Sequence, residues 1–186
     1  MKKLICLFWV LAICALPVAA QYDDISVDVP YVPSPPEVVE ALHKLAGTGP
    51  SDIAYDLGCG DGRLVVAAVK DFKARRAVGV DINPERIREA EENAKQNGVA
   101  DRTKFIQKSF YDADVSEASV VTLYLLSGVN IKMRPKLIKE LKAGSRIVSH
   151  TFDMGEWKPD KEETVSGRRI YLWIVTEEVK KRSFTQ

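Results

Sequence analysis

Hydrophobic and polar positions along this chain follow two spacings, which alternate from about residue 36 onward. Short apolar runs rich in branched side chains predict strands. Between most of these runs, apolar residues recur every three or four positions, which predicts amphipathic helices. The predicted strands span 53–57, 77–81, 103–107, 119–126, 146–150, 162–165 and 170–176, and the predicted helices follow Ser34 and span 63–71, 84–96 and 133–141.

The first of these helices has recognisable start and stop signals. Ser34 precedes Pro35, and Glu37 follows three residues after Ser34, a pattern typical of a capping box. Gly47 then follows the last apolar position, where a glycine commonly ends a helix. We therefore expect a helix that begins at Ser34 and stops just before Gly47.

The order of the elements indicates the fold class. Strands that alternate with helices favour a parallel sheet, because parallel neighbours need a long crossover connection. Only Ser166 and Gly167 separate the last two predicted strands, which indicates a closing antiparallel pair. The sequence thus predicts an α/β fold: a single doubly wound, mostly parallel seven-stranded sheet with an antiparallel edge.

The two ends of the chain differ in composition from its centre. Lys2 and Lys3 precede an apolar run, and small residues before position 21 suit a cleavage site, so residues 1–20 predict a signal peptide. The alternative is an uncleaved membrane anchor, with possible membrane association through residues 4–20. Either interpretation predicts an exported or membrane-anchored domain. The other predicted segments are a Pro-rich extended arm over 21–35, a folded domain over 36–180 and a tail over 181–186.

Composition narrows the class of partner. The formal net charge is +1, and it becomes −1 without residues 1–20, because Lys2 and Lys3 are the only charged residues there. So balanced a charge does not favour nucleic acid as a partner. Neither histidine has a partner at ligand spacing, so we expect no metal site.

A glycine-rich turn carries the clearest chemical signal. The predicted first strand ends near Asp56, and Gly58, Gly60 and Gly62 follow at alternate positions before a helix. Such a turn lets a ligand lie against the backbone and the helix N-terminus. A second carboxylate, Asp81, ends the next strand, where it flanks the same crevice and suits ribose hydroxyls. The G-x-G-x-G spacing departs from the G-x-G-x-x-G of dinucleotide folds and favours S-adenosylmethionine as the cofactor.

These motifs resemble those of the class I S-adenosylmethionine-dependent methyltransferases. More narrowly, the chain is similar to the small archaeal protein-lysine methyltransferases and to their mitochondrial relatives, which modify a lysine of the ATP synthase c-ring protein. The resemblance runs from about residue 29 to about residue 175. It rests on four motifs: VPYVPSP at 29–35, YDLGCGDGR at 55–63, VGVDIN at 78–83 and RIVSH at 146–150.

The resemblance implies a cofactor-binding map for this sequence. Asp56, Gly58 and Gly60 would hold the methionyl part, and Asp81 would accept the ribose hydroxyls. Ile82 would pack on the adenine, which Ser109 and Phe110 would border. Tyr31 would fold over the cofactor and wall the substrate channel. Ile82, Phe110 and Tyr31 each have a structural alternative, as core residues or as a surface aromatic.

The fourth predicted strand bears on the methyl acceptor. Methyltransferases that act on base amino groups usually carry Asp/Asn-Pro-Pro-aromatic there, whereas this chain has Thr122 followed by LYLLS. Two interpretations of Tyr124 remain: it lines a channel suited to a lysine stem, or it belongs to the core. His150 is the one plausible imidazole base, or a structural histidine.

The most favoured function is therefore transfer of a methyl group to protein lysine amino groups, by a monomer. One alternative is a small-molecule methyltransferase on the same fold. Another is a non-catalytic S-adenosylmethionine-binding protein, because a leader for export conflicts with a cofactor made in the cytosol.

Overall fold

Strands and helices alternate through most of the computed structural model, which describes residues 29–182 and 184. The leader, with the predicted signal peptide or anchor, lies outside the described residues. Within them, no helix combines the length and apolarity needed to cross a membrane. The helices are α1 (Pro36–Ala46), α2 (Arg63–Lys70), α3 (Pro84–Gln96) and α4 (Ser127–Glu140), and the strands are β1 (Ile53–Leu57), β2 (Arg76–Asp81), β3 (Thr103–Gln107), β4 (Val120–Leu123), β5 (Arg146–His150), β6 (Lys161–Val165) and β7 (Arg168–Ile174).

The strands form one seven-stranded sheet in the order β3-β2-β1-β4-β5-β7-β6. The first five strands of this order are mutually parallel, whereas β7 pairs antiparallel with both β5 and β6. The predicted fold class is thus confirmed. The chain order reverses at β1, between β2 and β4, and a crevice opens at the carboxyl ends of strands at such a point.

Both faces of the sheet are buried, as a parallel sheet requires. In β1, Tyr55 and Leu57 belong to the core on the α4 face, while Ala54 belongs to the core under α1, α2 and α3. All five residues of β1 and all four of β4 are buried. These central strands therefore support the loops that follow their carboxyl ends.

The fourth strand is shorter than the sequence predicts. The apolar run 119–126 was expected to be all strand, but β4 ends at Leu123 and α4 begins at Ser127, six residues before the predicted helix start. Leu125 is buried and Tyr124 half-buried in a pocket wall. The prediction failed because burial beside a pocket produces the same apolar pattern as burial in a sheet.

The predicted capping box at the start of α1 is wrong. Pro35 is the N-cap residue and makes no side-chain capping bond. The Ser34 hydroxyl lies instead 2.9 Å from Nδ1 of His150, in a buried contact. The Ser34 hydroxyl therefore contacts a histidine that is distant in sequence instead of capping the first turn of α1. The helix does end as predicted, with Gly47 in a left-handed conformation (φ 61°).

The residues near the end of the chain contact α4. Lys180 donates from Nζ to the carbonyl of Ile138 at 3.0 Å, near the C-terminus of this helix. The guanidinium of Arg134 lies over the Phe184 ring, 4.6 Å from its centroid. The Lys180 contact satisfies a carbonyl near the end of α4, and the Arg134 contact covers the apolar face of the Phe184 ring.

Candidate active site

A pocket lies at the carboxyl ends of the parallel strands. The loops after β1, β2, β3 and β4 line it, and the segment before α1 closes one side. Every residue assigned to the site from the sequence lines this pocket: Tyr31, Asp56, Gly58, Gly60, Asp81, Ile82, Ser109, Phe110 and Tyr124.

The glycine turn after β1 forms the floor of the pocket. Gly58 and Gly60 have φ values of 81° and 52°, in the left-handed region that side chains disfavour. A Cβ atom at Gly60 would also overlap the Tyr31 ring. The backbone amides of Gly58 and Cys59 donate to the Val80 carbonyl at 2.8 and 3.0 Å, which ties the turn to the end of β2.

Asp81 fixes the position of this turn from the neighbouring strand. Its Oδ2 accepts the Gly60 amide at 2.9 Å, and its Oδ1 accepts the Asn83 amide at 2.9 Å. Each carboxylate oxygen can accept more than one hydrogen bond, so acceptor capacity remains for a ligand in the pocket. Asn83 in turn caps α3 by accepting the Glu85 amide at 2.8 Å.

Asp56 is a buried carboxyl group at the centre of the site. Burial raises its pKa to about 7, against a hydrogen bond from Thr122 that lowers it, and the nearby Asp81 and Asp61 carboxylates raise it further. Thr122 donates from Oγ1 to Asp56 Oδ1 at 2.6 Å. Burial makes ionisation of this carboxyl group unfavourable. A cationic ligand would stabilise the ionised form, so the site suits such a ligand. Sequence reasoning gave Thr122 no such role, although it was the polar residue in an apolar strand.

The thiol of Cys59 is poorly suited to act as a nucleophile. It is buried in the same turn, and burial raises its pKa well above the usual value, with Asp56 and Asp81 adding to the effect. A thiol in this state is largely unreactive.

The segment before α1 is docked onto the glycine turn by an arginine. Arg63 pairs with Asp61, with its Nε 2.9 Å from Oδ1, and donates from Nη1 to the Ser34 carbonyl at 2.8 Å. The guanidinium of Arg86 lies over the Tyr31 ring, 4.5 Å from its centroid. Burial raises the pKa of Tyr31, as does the Asp61 charge, so its hydroxyl stays protonated. Neither arginine was assigned to the site from the sequence.

Two aromatic rings pack against Tyr124, which lines the pocket just after β4. The Tyr124 ring lies 3.8 Å from the His150 ring and 6.1 Å from that of Phe152, between centroids. Thr151 has a φ of 66°, and the Phe152 amide donates to the His150 carbonyl at 2.8 Å, so a strained three-residue turn presents Phe152. Sequence reasoning missed Phe152, because no spacing links it to Tyr124.

The loop after β3 borders the opposite end of the pocket. Ser109 and Phe110 of this loop line that end together with Ile82, which follows β2. The Phe110 ring lies 4.6 Å from that of Tyr111. The Tyr111 amide donates to Ser109 Oγ at 3.3 Å. Among residues 29–182 and 184, no group of three or more metal-ligating side chains is present. A glycine floor, anionic acceptors and apolar walls fit an organic cation.

Comparisons with known proteins agree with this geometry. A family model described as the ANTKMT methyltransferase domain matches residues 56–161. A protein-lysine N-methyltransferase of Saccharolobus islandicus is 47% identical over 153 residues, which cover 80% of this chain and 95% of that protein. The human lysine N-methyltransferase named for the ATP synthase C-subunit is 29% identical over 71% of this chain and 55% of its own length.

A solved structure supports the same relationship. The crystal structure of an RNA methyltransferase from Salinibacter ruber, in complex with S-adenosyl-L-homocysteine, superposes with a TM-score of 0.77. It is 46% identical, and the match covers 78% of this chain and 95% of that one. The same fold thus holds the demethylated cofactor in a protein of similar sequence.

The archaeal relative contradicts the predicted export or membrane anchoring. The match to 95% of that protein-lysine methyltransferase needs only 153 residues of this chain. The prediction was wrong because it took two lysines, an apolar run and small residues before position 21 as sufficient evidence of export or anchoring.

The cofactor and the reaction class follow from the match and from the pocket. The family match spans the glycine turn, Asp81, Tyr124 and the strands between them. The cofactor is S-adenosylmethionine, and its demethylated product is bound in the similar Salinibacter structure. The chain therefore belongs to the ANTKMT methyltransferase domain family, a family of S-adenosylmethionine-dependent methyltransferases.

Proposed function

We propose that this enzyme transfers methyl groups to lysine ε-amino groups of a protein. The observation that carries the proposal is the Tyr124 ring in the pocket lining, against which the Phe152 ring stacks. An apolar channel suits the methylene stem of lysine, and aromatic faces attract a methylated ammonium group. The name of the archaeal relative, which is 47% identical, supports the same acceptor.

The residues at the other end of the pocket bind the cofactor in this proposal. Asp56, Gly58 and Gly60 hold its methionyl part, and Asp81 accepts the ribose hydroxyls. Ile82, Ser109 and Phe110 surround the adenine, while Tyr31 covers the cofactor from the segment before α1. The buried, electrostatically strained Asp56 carboxyl group gains most from a cationic ligand.

The enzyme's own contribution is alignment and desolvation. When bound, S-adenosylmethionine would supply an electrophilic methyl group on its sulfonium, and transfer to a neutral amine aligned with it would break the S–CH3 bond and release S-adenosylhomocysteine. A lysine of pKa ~10.4 must lose its proton, which costs about 4.6 kcal/mol at pH 7. Burial against Tyr124 disfavours the charged amine and so lowers that cost. No side-chain base is needed, and burial lowers the pKa of His150 to about 4, with the Arg168 charge adding to the effect.

RNA is the second candidate acceptor, because the Salinibacter relative is named an RNA methyltransferase. Two features of this chain argue against it. The formal net charge is only +1, whereas nucleic-acid sites depend on a strongly basic surface. Three carboxylates, Asp56, Asp61 and Asp81, also line the pocket and would repel phosphates.

Labelling distinguishes the two acceptors. The purified protein is incubated with methyl-labelled S-adenosylmethionine and a cell extract, and portions are then treated with protease or with ribonuclease. We expect acid-precipitable label that protease releases and ribonuclease does not, and mass spectrometry should place it on lysine. Asp56→Ala should abolish it. Label released only by ribonuclease would support RNA, and label that remains soluble throughout would indicate a small-molecule acceptor.

A further inference from the structure

One buried histidine links the two ends of the pocket. His150, at the end of β5, contacts Ser34 through Nδ1 at 2.9 Å. Its ring also lies against Tyr124, with 3.8 Å between the centroids. The two contacts use different parts of the side chain, one a ring nitrogen and the other a ring face. Ser34 precedes α1 and Tyr124 follows β4, so His150 joins segments that are far apart in sequence.

The state of His150 suits a fixed link rather than a proton carrier. The residue has no exposed surface, and the pocket lining does not include it. Burial lowers its pKa to about 4, with the Arg168 charge as the second cause, so the ring is neutral at pH 7. Nε2 is buried and has no partner among the residues that the structure describes. Burying such a nitrogen is costly, and the contacts at Nδ1 and the ring face must compensate.

The contact at Ser34 reaches the cofactor end of the pocket through the chain itself. The Ser34 carbonyl accepts Arg63 Nη1 at 2.8 Å, so both the side chain and the backbone of this residue are held. Tyr31 lies three residues earlier, against Gly60 in the glycine turn. A shift of Ser34 therefore displaces the ring that covers the cofactor.

We propose that His150 is a positioning residue that fixes the Tyr31 segment and Tyr124 in one mutual arrangement, so that the cofactor and acceptor ends form together. The acceptor half of this inference rests on the proposed function of Tyr124. The cofactor half depends only on the contacts of Ser34. His150 itself touches neither ligand, so its effect passes through its two neighbours.

Three variants separate the two contacts. Ser34→Ala and His150→Phe both remove the hydrogen bond, whereas the phenyl ring keeps a face for Tyr124. His150→Asn keeps a polar atom for Ser34 and loses the ring. We expect Ser34→Ala and His150→Phe each to weaken S-adenosylmethionine binding about fivefold, as for the loss of one hydrogen bond. His150→Asn should bind the cofactor nearly as the wild type does, but raise KM for the protein acceptor.

The double variant Ser34→Ala/His150→Phe tests whether the two residues act through one contact. We expect its Kd for S-adenosylmethionine to match that of either single variant. Thr48→Ala is the matched control, because Thr48 Oγ1 lies 3.1 Å from Nδ1 of the other buried histidine, His43, and does not line the pocket. It should lower Tm by a similar amount and leave Kd and KM unchanged.

Two results would overturn the inference. One is Ser34→Ala behaving like Thr48→Ala, with a lower Tm and unchanged binding. The other is a fivefold effect in each single variant that multiplies in the double variant. Cofactor binding is measured by calorimetry without any acceptor, so an incorrect acceptor assignment would not alter these outcomes.

Discussion

Thr122 donates a hydrogen bond to Asp56 across adjacent strands of the sheet, with 2.6 Å between Oγ1 and Oδ1. This bond lowers the pKa of a carboxyl group that burial has raised to about 7. If Asp56 binds the cofactor as proposed, we expect cofactor affinity to depend on pH through this pair.

Affinity for S-adenosylmethionine should rise with pH through about 7. The cationic ligand favours the ionised Asp56 carboxylate, whose pKa burial raises to about 7 in the free protein. Below that pH the carboxyl must lose a proton to bind, so affinity should fall by up to about tenfold per pH unit. Calorimetric titrations between about pH 5.5 and 7.5 measure this.

Thr122→Val is the companion variant for that pH profile. Losing the hydroxyl removes the bond that lowers the Asp56 pKa, so the midpoint should move to higher pH. A flat wild-type profile would contradict the assignment of Asp56 to the cofactor.

Asp56→Asn should stabilise the ligand-free protein at pH 8 and abolish cofactor binding. Because the pKa of Asp56 is raised from the usual 3.8 to about 7, the protonated carboxyl stabilises the fold in full only below about 3.8, and this contribution is lost progressively as pH rises to about 7. The amide avoids the loss, so we expect a gain on the order of 2 kcal/mol, or roughly 4–8 °C in Tm. At pH 5, where only part of this contribution has been lost, the gain should be clearly smaller. Scanning calorimetry at both values, with and without S-adenosylmethionine, provides the test, and destabilisation at pH 8 would refute it.

Gly60→Ala should reduce cofactor affinity by more than its backbone strain explains. Gly60 has a φ of 52°, and its Cβ would overlap the Tyr31 ring. Gly98→Ala is the matched control, because Gly98 has a φ of 67° with no atom within 4 Å of an added Cβ. Both variants should lose about 1 kcal/mol of stability, but only Gly60→Ala should raise Kd for S-adenosylmethionine, by about tenfold or more. Equal Kd values would argue against Tyr31 as the cover of the site.

Phe152→Leu should weaken acceptor binding and leave cofactor binding intact. Its ring stacks with Tyr124 at 6.1 Å without lining the pocket, so its loss should act through the position of Tyr124 and raise acceptor KM about two- to fivefold. Phe72→Leu serves as a comparison, since Phe72 is also partly exposed and contacts a histidine ring, 5.0 Å from His43, outside this pocket. Steady-state kinetics with the labelled protein acceptor measure both. An effect of Phe152→Leu on the S-adenosylmethionine Kd alone would contradict the proposed role of Tyr124.

Local patterns in the sequence were sufficient for the order of the elements and for much of the site. The glycine turn and Asp81 sit at strand ends, and the carboxyl ends of parallel strands meet at one edge of the sheet. Asp56 and Asp81 could therefore be placed in one crevice from their positions alone. Their electrostatic state could not, because it depends on the burial that the surrounding strands impose.

By itself, the sequence determined the α/β class, the strand and helix order, and the cofactor turn, because each has a short-range signature of spacing or residue type. Only the tertiary structure decided that β4 ends at Leu123, that Ser34 bonds to His150 instead of capping α1, and that Phe152 stacks on Tyr124. These contacts join residues from different elements. They depend on how the sheet and its loops pack, and no periodicity along the chain encodes them.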